Sequence, residues 1–369
     1  MKKVFIWGTG YVADRVFHEC RTLDQYDFIG AIDSDKKKWG QAFHGLPIMP
    51  PDILLDQYAD AVIVLTDCFD EIRRQIVNDY PGIKITVENK NFFYKESVIQ
   101  RYRNSKEPEI REVLDYIEKT GLDVFNYPFV EKYNDPKNKV WKDEGCGLYF
   151  VMHNGKRLYF SRKYKSEKEA GDYYNALLKE QDERSPHRYL SEECNVNEGD
   201  IVLDIGAAEG NFSLDVIDRC SHLYIFEAEN DWIEALQYTF KDYADKVTFI
   251  KGFVGAYHEG TIITIDSVVD VPVNFIKMDI EGNEWDALRG AERLINNSAN
   301  LKMVICSYHS DFDQELIESF MDKHHITHTC SKGYMWFPET IRQTYVSTSL
   351  NRGIVRGIKY GRQEEVSTL

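Results

Sequence analysis

The sequence lacks the features that mark several classes of protein. Its seven cysteines are odd in number and contain no Cys-x-x-Cys pair, a pattern typical of reduced thiols rather than of a disulfide framework. No segment approaches ~18 consecutive apolar residues, so no membrane span is expected. The apolar run after Met1-Lys2-Lys3 stops at Gly8, too early for a signal peptide. We therefore expect a cytoplasmic protein.

Positive charge is also scarce. The chain has 45 Lys and Arg against 61 Asp and Glu, a formal net charge of −16, and no basic run that reverses it locally. Because a nucleic acid backbone would be repelled, no nucleic acid partner is expected. Repeats of fixed period and low-complexity tracts are missing too, and the 369 residues have an ordinary globular composition. At roughly 150 residues per domain, this length predicts two or three domains.

The first hundred residues alternate short apolar runs with helical stretches, which predicts a parallel sheet covered on both faces. Gly8-Thr9-Gly10 follows the first run, and Asp33 closes the next one 23 residues later. Taken alone, this spacing is a dinucleotide fingerprint, so an NAD-dependent oxidoreductase or epimerase is one alternative. Against it, a dinucleotide fold needs two mononucleotide halves, and residues 1–100 hold about one and a half.

Residues 101–145 are predicted to form a helical linker. Ile110, Val113, Leu114 and Ile117 have helical spacing, and Gly121 suits the end of the helix. From residue 146 to the carboxyl terminus, a second domain is expected. It opens with a hairpin at Asn154-Gly155 and a helix capped by Ser166, and five further strands follow.

The first of these five strands ends in a glycine loop. Asp204-Ile-Gly206-Ala-Ala-Glu-Gly210 leads from strand to helix, and Glu227 ends the next strand 17 residues after Gly210. Two glycines allow a ligand to approach the backbone, and a terminal acid can accept both hydroxyls of a ribose. The pattern predicts an adenosine-type cofactor. The alternative is that Glu227 only caps the helix that begins near Asn230.

Three motifs occur in order in this domain: Asp204-Ile-Gly-Ala-Ala-Glu-Gly210, Phe226-Glu227, and Lys277-Met-Asp-Ile-Glu-Gly-Asn-Glu284. Together they resemble the FkbM family of S-adenosylmethionine-dependent methyltransferases, and the resemblance extends from about Gly147 to Lys359. Family members often carry Asn where this chain has Ala208, and often an acid where it has Ser307.

The resemblance implies an α/β fold, with a class I methyltransferase doubly wound sheet in residues 146–369 preceded by a smaller Rossmann-like α/β domain. It implies O-methylation of a hydroxyl on a sugar, glycan or polyketide, with S-adenosyl-L-methionine as cofactor. The residues expected to bind the cofactor are Asp204, Gly206, Ala207, Glu209, Gly210, Phe226, Glu227, His187 and Asp279.

Several polar residues are candidates for the acceptor side of the site. Asp279 would hold the acceptor or the amino-acid end of the cofactor, or would only order its loop. His309, at the end of the fifth strand, is the candidate general base, with a structural histidine as the alternative. Lys277 is expected to face Asp279 or Asp266, or to lie along the pocket, because an unpaired buried lysine is costly.

Two further candidates have simple structural alternatives. His187 would lie in a lid over the cofactor or would order a loop. Glu281 would act in the site or would stabilise the next helix by its charge. Asp279, Glu281 and His309 could form a magnesium site, but we expect no metal. His324 and His328 lack the glutamate of a zinc-protease helix.

The segment from Phe28 to Ile48 resembles small Rossmann-like domains attached to sugar-modifying transferases and sugar acetyltransferases. It would bind a nucleotide or nucleotide-linked sugar, or would serve a structural or docking role. The sequence thus predicts an O-methyltransferase acting on a saccharide or nucleotide-linked sugar, with a small-molecule or glycan substrate, and is compatible with a homodimer. A non-catalytic binding module remains the second alternative.

Overall fold

A computed structural model of the chain describes residues 1–20, 23–337 and 347–361. The chain divides into two compact units. The first comprises Met1–Asn126 and Trp336–Leu350, and the second comprises Tyr127–Met335 and Asn351–Leu369. The segment 101–145, predicted to be a linker, is therefore divided between the two units.

The first unit is built around a six-stranded sheet in the order β3-β4-β2-β1-β5-β6. Its strands are β1 Lys2–Trp7, β2 Tyr26–Ile32, β3 Ala42–Phe43, β4 Leu46–Met49, β5 Ala61–Val64 and β6 Thr86–Asn89. All neighbours are parallel except β3 and β4. In the central strands, residues 4–7 of β1 and all of β5 are apolar and buried, as a sheet covered on both faces requires.

The described residues of this unit form five α-helices: α1 Tyr11–Cys20, α2 Ile53–Asp56, α3 Phe69–Asp79, α4 Lys90–Tyr102 and α5 Pro108–Thr120. The structure confirms the helix predicted after residue 105. Pro108 lies in the first turn of α5, Ile110, Val113, Leu114 and Ile117 are buried, and Gly121 ends the helix at a φ of +103°.

The second unit opens with an antiparallel sheet of β7 Val140–Lys142, β8 Tyr149–His153 and β9 Lys156–Tyr159. The predicted hairpin turn joins β8 to β9, with Asn154 at a φ of 50° and Gly155 at 83°. Two positive φ values are typical of the type I′ turn that this dipeptide favours. Helix α6, Glu167–Glu180, begins as predicted, because the Ser166 side chain accepts a hydrogen bond from the Glu169 amide.

The main sheet of this unit has seven strands in the order β12-β11-β10-β15-β16-β20-β17. They are β10 Ile201–Ile205, β11 His222–Glu227, β12 Val247–Lys251, β15 Phe275–Met278, β16 Leu301–Cys306, β17 Thr327–Cys330 and β20 Ile354–Lys359. Only β20 runs antiparallel to its neighbours. The doubly wound class I methyltransferase sheet expected for this part of the chain is thus confirmed.

The other elements of this unit are short or lie on the faces of the sheet. The helices are α7 Asn211–Val216, α8 Asn230–Thr239, α9 Ile265–Val268, α10 Glu284–Arg289, α11 Glu292–Asn297 and α12 Asp313–Lys323. The strands β13 Phe253–Val254 and β14 Ile262–Ile263 pair with each other. Strands β18 Met335–Trp336 and β19 Leu350–Asn351 also pair, and they contain two of the points at which the chain passes between the units.

The core of the second unit places the candidate site. Apolar residues of β10, β15 and β16 pack against α10, α11 and α12. Because β10, β11, β15 and β16 are parallel, their carboxyl ends share one edge of the sheet, where ligands bind in open α/β folds. Among the described residues, no helix is both long and apolar enough to cross a membrane.

Candidate functional site

The glycine loop follows β10 at this edge, and its backbone geometry explains both glycines. Gly206 has a φ of +78°, and a Cβ there would lie 1.9 Å from the Asp279 carbonyl oxygen. Gly210 has a φ of +84°, and a Cβ there would lie 2.7 Å from Leu236. The Gly206 and Ala207 amides donate to the Phe226 carbonyl at 3.0 and 3.2 Å. These contacts hold the glycine loop against β11 and against the segment that follows β15.

Glu227, at the end of β11, faces the same loop. Its carboxylate accepts from the Ala208 amide at 2.9 Å and from the Glu229 amide at 2.7 Å. Neither donor belongs to the first turn of α8, so these bonds do not cap that helix. Burial raises the pKa of Glu227, while the hydrogen bonds from Glu229 and Ala208 oppose that rise. The ribose role of Glu227 stays a prediction.

Lys277 and Asp204 form a buried ion pair beneath the loop. The two residues are directly opposite in the parallel register of β15 and β10, and Lys277 Nζ lies 3.0 Å from Asp204 Oδ1. Nζ also donates to the Gly206 carbonyl at 2.5 Å, and Ser213 Oγ donates to Asp204 Oδ2 at 2.6 Å. Burial would lower the pKa of Lys277, but the charges of Asp204 and Asp279 raise it.

This pairing corrects the partner expected for Lys277. Asp266 instead accepts from the Arg293 and Leu294 amides, so it fixes the start of α11. Asp204, predicted to bind cofactor, is fully buried and bonded within the protein. Both side chains therefore hold the glycine loop in position from the buried strands β10 and β15.

Asp279 lies immediately after β15 and is held from several sides. Tyr189 Oη donates to Asp279 Oδ2 at 2.7 Å, and His187 Nε2 lies 3.6 Å from the same oxygen. Burial would raise the pKa of Asp279, but the hydrogen bond from His187 and the charges of His309 and Lys277 bring it well below its usual range. Asp279 is thus a fixed negative charge and a weak base.

His309 follows β16 and lies among three carboxylates. Its Nδ1 is 3.1 Å from Glu284 Oε1, and its Nε2 is 3.5 Å from both Asp279 Oδ1 and Glu281 Oε2. Burial would lower the pKa of His309, but the hydrogen bond to Glu284 and the three negative charges raise it to about 9. At neutral pH the side chain is an imidazolium, whereas the predicted general base needs the neutral imidazole.

Glu281 forms the open side of this cluster. Its side chain is 70% exposed, and its φ of 57° is unusual for a residue with a Cβ. Partial desolvation of its carboxyl and the negative charges of Asp279 and Glu284 raise its pKa against the opposing charge of His309. Glu284 accepts from the Ile280 amide before α10, and both readings of Glu281 stay predictions.

His187 does not lie in an exposed lid. Its ring is buried, with Nε2 3.1 Å from Tyr308 Oη and Nδ1 3.4 Å from Gln181 Nε2. It therefore supports Asp279 from the protein side. Glu209, in the glycine loop, is also buried, and it accepts from Tyr173 Oη at 2.6 Å. Burial raises the pKa of Glu209 to about 7.

Two groups of side chains in this region could hold a metal ion. One consists of His187, Asp279 and Cys306, and the other of Asp279, Glu284 and His309. The predicted magnesium candidates were Asp279, Glu281 and His309, and Glu284 takes the place of Glu281 in the observed group. The absence of a metal stays a prediction. His324 and His328 are instead paired with Glu292 and Asp322.

The glycine loop of the first unit, Gly8-Thr9-Gly10, differs from the loop after β10 in how its acidic residue is bonded. The Asp33 carboxylate already accepts from the Thr9 amide at 3.1 Å, from the Thr9 hydroxyl, from Lys38 Nζ at 2.8 Å and from the Asp35 amide at 2.9 Å. A Cβ at Gly10 would meet nothing within 4 Å. Oδ2 is thus occupied by three donors, which disfavours the ribose contact that the NAD alternative needs. Nucleotide binding by this unit stays a prediction.

Comparison with known families separates the two units as well. Residues 151–334 match the family model described as the methyltransferase FkbM domain, and residues 1–86 match the model described as C2185-like, N-terminal. The match indicates a methyltransferase domain and confirms the FkbM resemblance for that segment. The resemblance of the first unit to sugar-transferase-associated domains is not confirmed, because a different family matches there.

Solved structures of methyltransferases are also similar to the chain. Methyltransferase FkbM from Methylobacillus flagellatus KT is 17% identical over 96% of this chain and 90% of its own, with a TM-score of 0.41. Precorrin-6y C5,15-methyltransferase from Geobacter metallireducens GS-15 is 13% identical over 45% and 85%, with a TM-score of 0.33. SMU.1697c from Streptococcus mutans, in complex with SAH, is 13% identical over 44% and 90%, with a TM-score of 0.31. Among curated proteins, none matches.

Proposed function

We propose that this chain, whose residues 151–334 match the methyltransferase FkbM domain, transfers a methyl group from S-adenosylmethionine to a hydroxyl of a saccharide or nucleotide-linked sugar. The observation that carries the proposal is the placement of Glu227. Its carboxylate lies at the end of β11 and is held by the amides of Ala208 and Glu229. Each oxygen keeps a lone pair for a further donor, so both ribose hydroxyls of an adenosine can bind there.

The charge of the neighbouring cluster supports a cationic ligand. Three carboxylates, those of Asp279, Glu281 and Glu284, surround the one imidazolium of His309. The charges of Lys277 and Asp204 compensate each other. An excess of negative charge in a largely buried site is costly unless a cation joins it. The sulfonium of S-adenosylmethionine carries such a charge, and this compound supplies the methyl group when bound.

The residues of the chain would contribute mainly by positioning. An in-line displacement requires donor and acceptor to be collinear at near-attack distance. Tyr189 and His187 fix Asp279, which can then accept a hydrogen bond from the acceptor hydroxyl. His309 can take the acceptor's proton only when neutral, and a cation that draws a carboxylate away from it lowers its pKa. The value of kcat/KM for the cofactor, which reports the pKa of His309 in the free enzyme, should therefore rise with pH up to about 9.

Calorimetry with S-adenosylhomocysteine tests the cofactor site. Replacing Glu227 with Ala removes two charge-assisted hydrogen bonds to the ribose, so we expect roughly 100-fold weaker binding. Glu229→Ala is the matched control, because Glu229 is an exposed acid two residues away, and its affinity should equal that of the wild type. Equal affinity for Glu227→Ala and the control would remove the ribose role.

Transfer assays with saccharides and nucleotide-linked sugars test the reaction. His309→Ala should lower the rate and leave the affinity for S-adenosylhomocysteine nearly unchanged. If this variant is fully active, His309 is not the base. Bound cofactor with no turnover on any glycan extract would favour the non-catalytic binding module instead.

A further inference from the structure

A groove in the second unit is lined by positive side chains, although the chain as a whole carries a net charge of −16. Lys142, Arg162 and Lys165 line it together with Tyr149, Ser161 and Tyr164, and its volume is about 190 Å³. No carboxylate is among its lining residues. We call it the basic groove.

Two of its three cations form no ion pair in the described residues, although the Glu169 carboxylate accepts from the Lys165 amide at 2.7 Å. Arg162 forms a bidentate pair with Glu234, at 2.7 Å for both contacts. Lys165 Nζ donates only to the Arg162 carbonyl, at 2.6 Å, and Lys142 Nζ lies 5.4 Å from the centroid of the Tyr149 ring. Neither lysine forms an ion pair within the part of the chain that the structure describes. The basic groove therefore keeps two lysine ammonium groups that are not in ion pairs.

The basic groove is connected to the glycine loop through two aromatic side chains. Tyr164, which lines the groove, packs against Tyr173 with ring centroids 4.8 Å apart. Tyr173 Oη donates to Glu209 of the loop at 2.6 Å. The basic groove is thus two side chains away from the loop that holds the candidate cofactor site.

We propose that the basic groove binds the phosphate of a phosphorylated saccharide, which makes the methyl acceptor an anion. This inference rests on the proposed function and specifies its substrate. Lysine ammonium groups bind phosphate as point charges. A volume of about 190 Å³ is below the ~300 Å³ at which pockets hold drug-sized ligands. The groove therefore takes the phosphate end of the acceptor and leaves the rest of the saccharide outside it.

Calorimetry with inorganic pyrophosphate as the probe tests the proposal in the full-length chain. Wild type should bind it saturably and more weakly as salt is added. The double variant Lys142→Gln/Lys165→Gln should bind it at least tenfold more weakly. Lys168→Gln is the matched control, because Lys168 is exposed, pairs with Asp172 and lies outside the groove lining. Its pyrophosphate affinity should equal that of the wild type.

Calorimetry with S-adenosylhomocysteine on the same three proteins keeps the two proposals apart. We expect its affinity to be unchanged in the double variant and in the control, which also shows that these variants are folded. Pyrophosphate that binds the double variant as tightly as the wild type, or that does not bind saturably to the wild type, overturns the basic groove as a phosphate site. Failure of S-adenosylhomocysteine to bind any form, with pyrophosphate behaving as expected, overturns the cofactor assignment instead. In transfer assays, the KM of a sugar phosphate should be at least tenfold lower than the KM of the same sugar without its phosphate.

Discussion

Gly206 offers the sharpest test of how the glycine loop is built. In Gly206→Ala, the new Cβ would lie 1.9 Å from the Asp279 carbonyl oxygen and 2.7 Å from Ile280 Cγ2. The first contact is with backbone, which cannot rotate away, so the loop and the start of the β15–α10 connection must separate. A positive φ costs alanine about 1 kcal/mol relative to glycine. Overpacking adds roughly 1–3 kcal/mol. We therefore expect Gly206→Ala to lower the free energy of unfolding by about 2–4 kcal/mol in total.

Gly199→Ala is the matched control, because Gly199 has a similar φ of +83° but nothing within 4 Å of its added Cβ. Its free energy of unfolding should fall by only about 1 kcal/mol, because alanine is less stable than glycine at a positive φ. Urea denaturation followed by hydrogen exchange in peptides from β10 and β15 measures the free energy of this unit separately from that of the other. A loss in Gly206→Ala no larger than that in Gly199→Ala would refute the close approach of the loop to Asp279.

Two further predictions concern the same site. Folding raises the pKa of His309 from 6.5 to about 9. Protonated His309 therefore adds on the order of 3 kcal/mol to the free energy of unfolding. This stabilisation is fully present below pH 6.5 and is lost as the pH rises through 9. NMR titration of the imidazole should show this pKa, and His309→Gln should flatten the pH dependence of unfolding; a pKa near 6.5 would contradict the carboxylate cluster. Residue 208 has a φ of 47°, a conformation that asparagine adopts more readily than alanine. Ala208→Asn should therefore raise the free energy of unfolding by about 0.5–1 kcal/mol. A destabilised Ala208→Asn variant in thermal unfolding would show that loop packing, not φ, governs this position.

The parts of the site that are local in sequence could be predicted from it. The glycine loop and Glu227 follow from a spacing within one strand-loop-helix-strand unit, and the capping of α6 by Ser166 follows from three residues. The positive φ at residue 208 also accounts for the asparagine often found there in the family, since asparagine adopts this conformation more readily than alanine.

Contacts between distant segments could not be predicted in the same way. Lys277 pairs with Asp204 because β15 lies beside β10 in register, and strand order is not written in the local pattern. Tyr189 reaches Asp279 across 90 residues of sequence. Glu284 stood in the most discriminating motif, but its spacing alone did not show that it would bond His309 and raise its pKa. Nor did composition show that the described residues 336–337 and 347–350 belong to the first unit.

The pair of Lys277 and Asp204 has a consequence for how this sheet could change over time or by design. Burying two opposite charges gains little stability, and well-packed apolar residues in their place often fold as well or better. Such a replacement would nevertheless remove the ammonium that bonds the Gly206 carbonyl, so the loop would lose its support from below while the sheet persisted. The architecture and the ligand pocket can therefore be lost independently, and a chain could keep the first long after giving up the second.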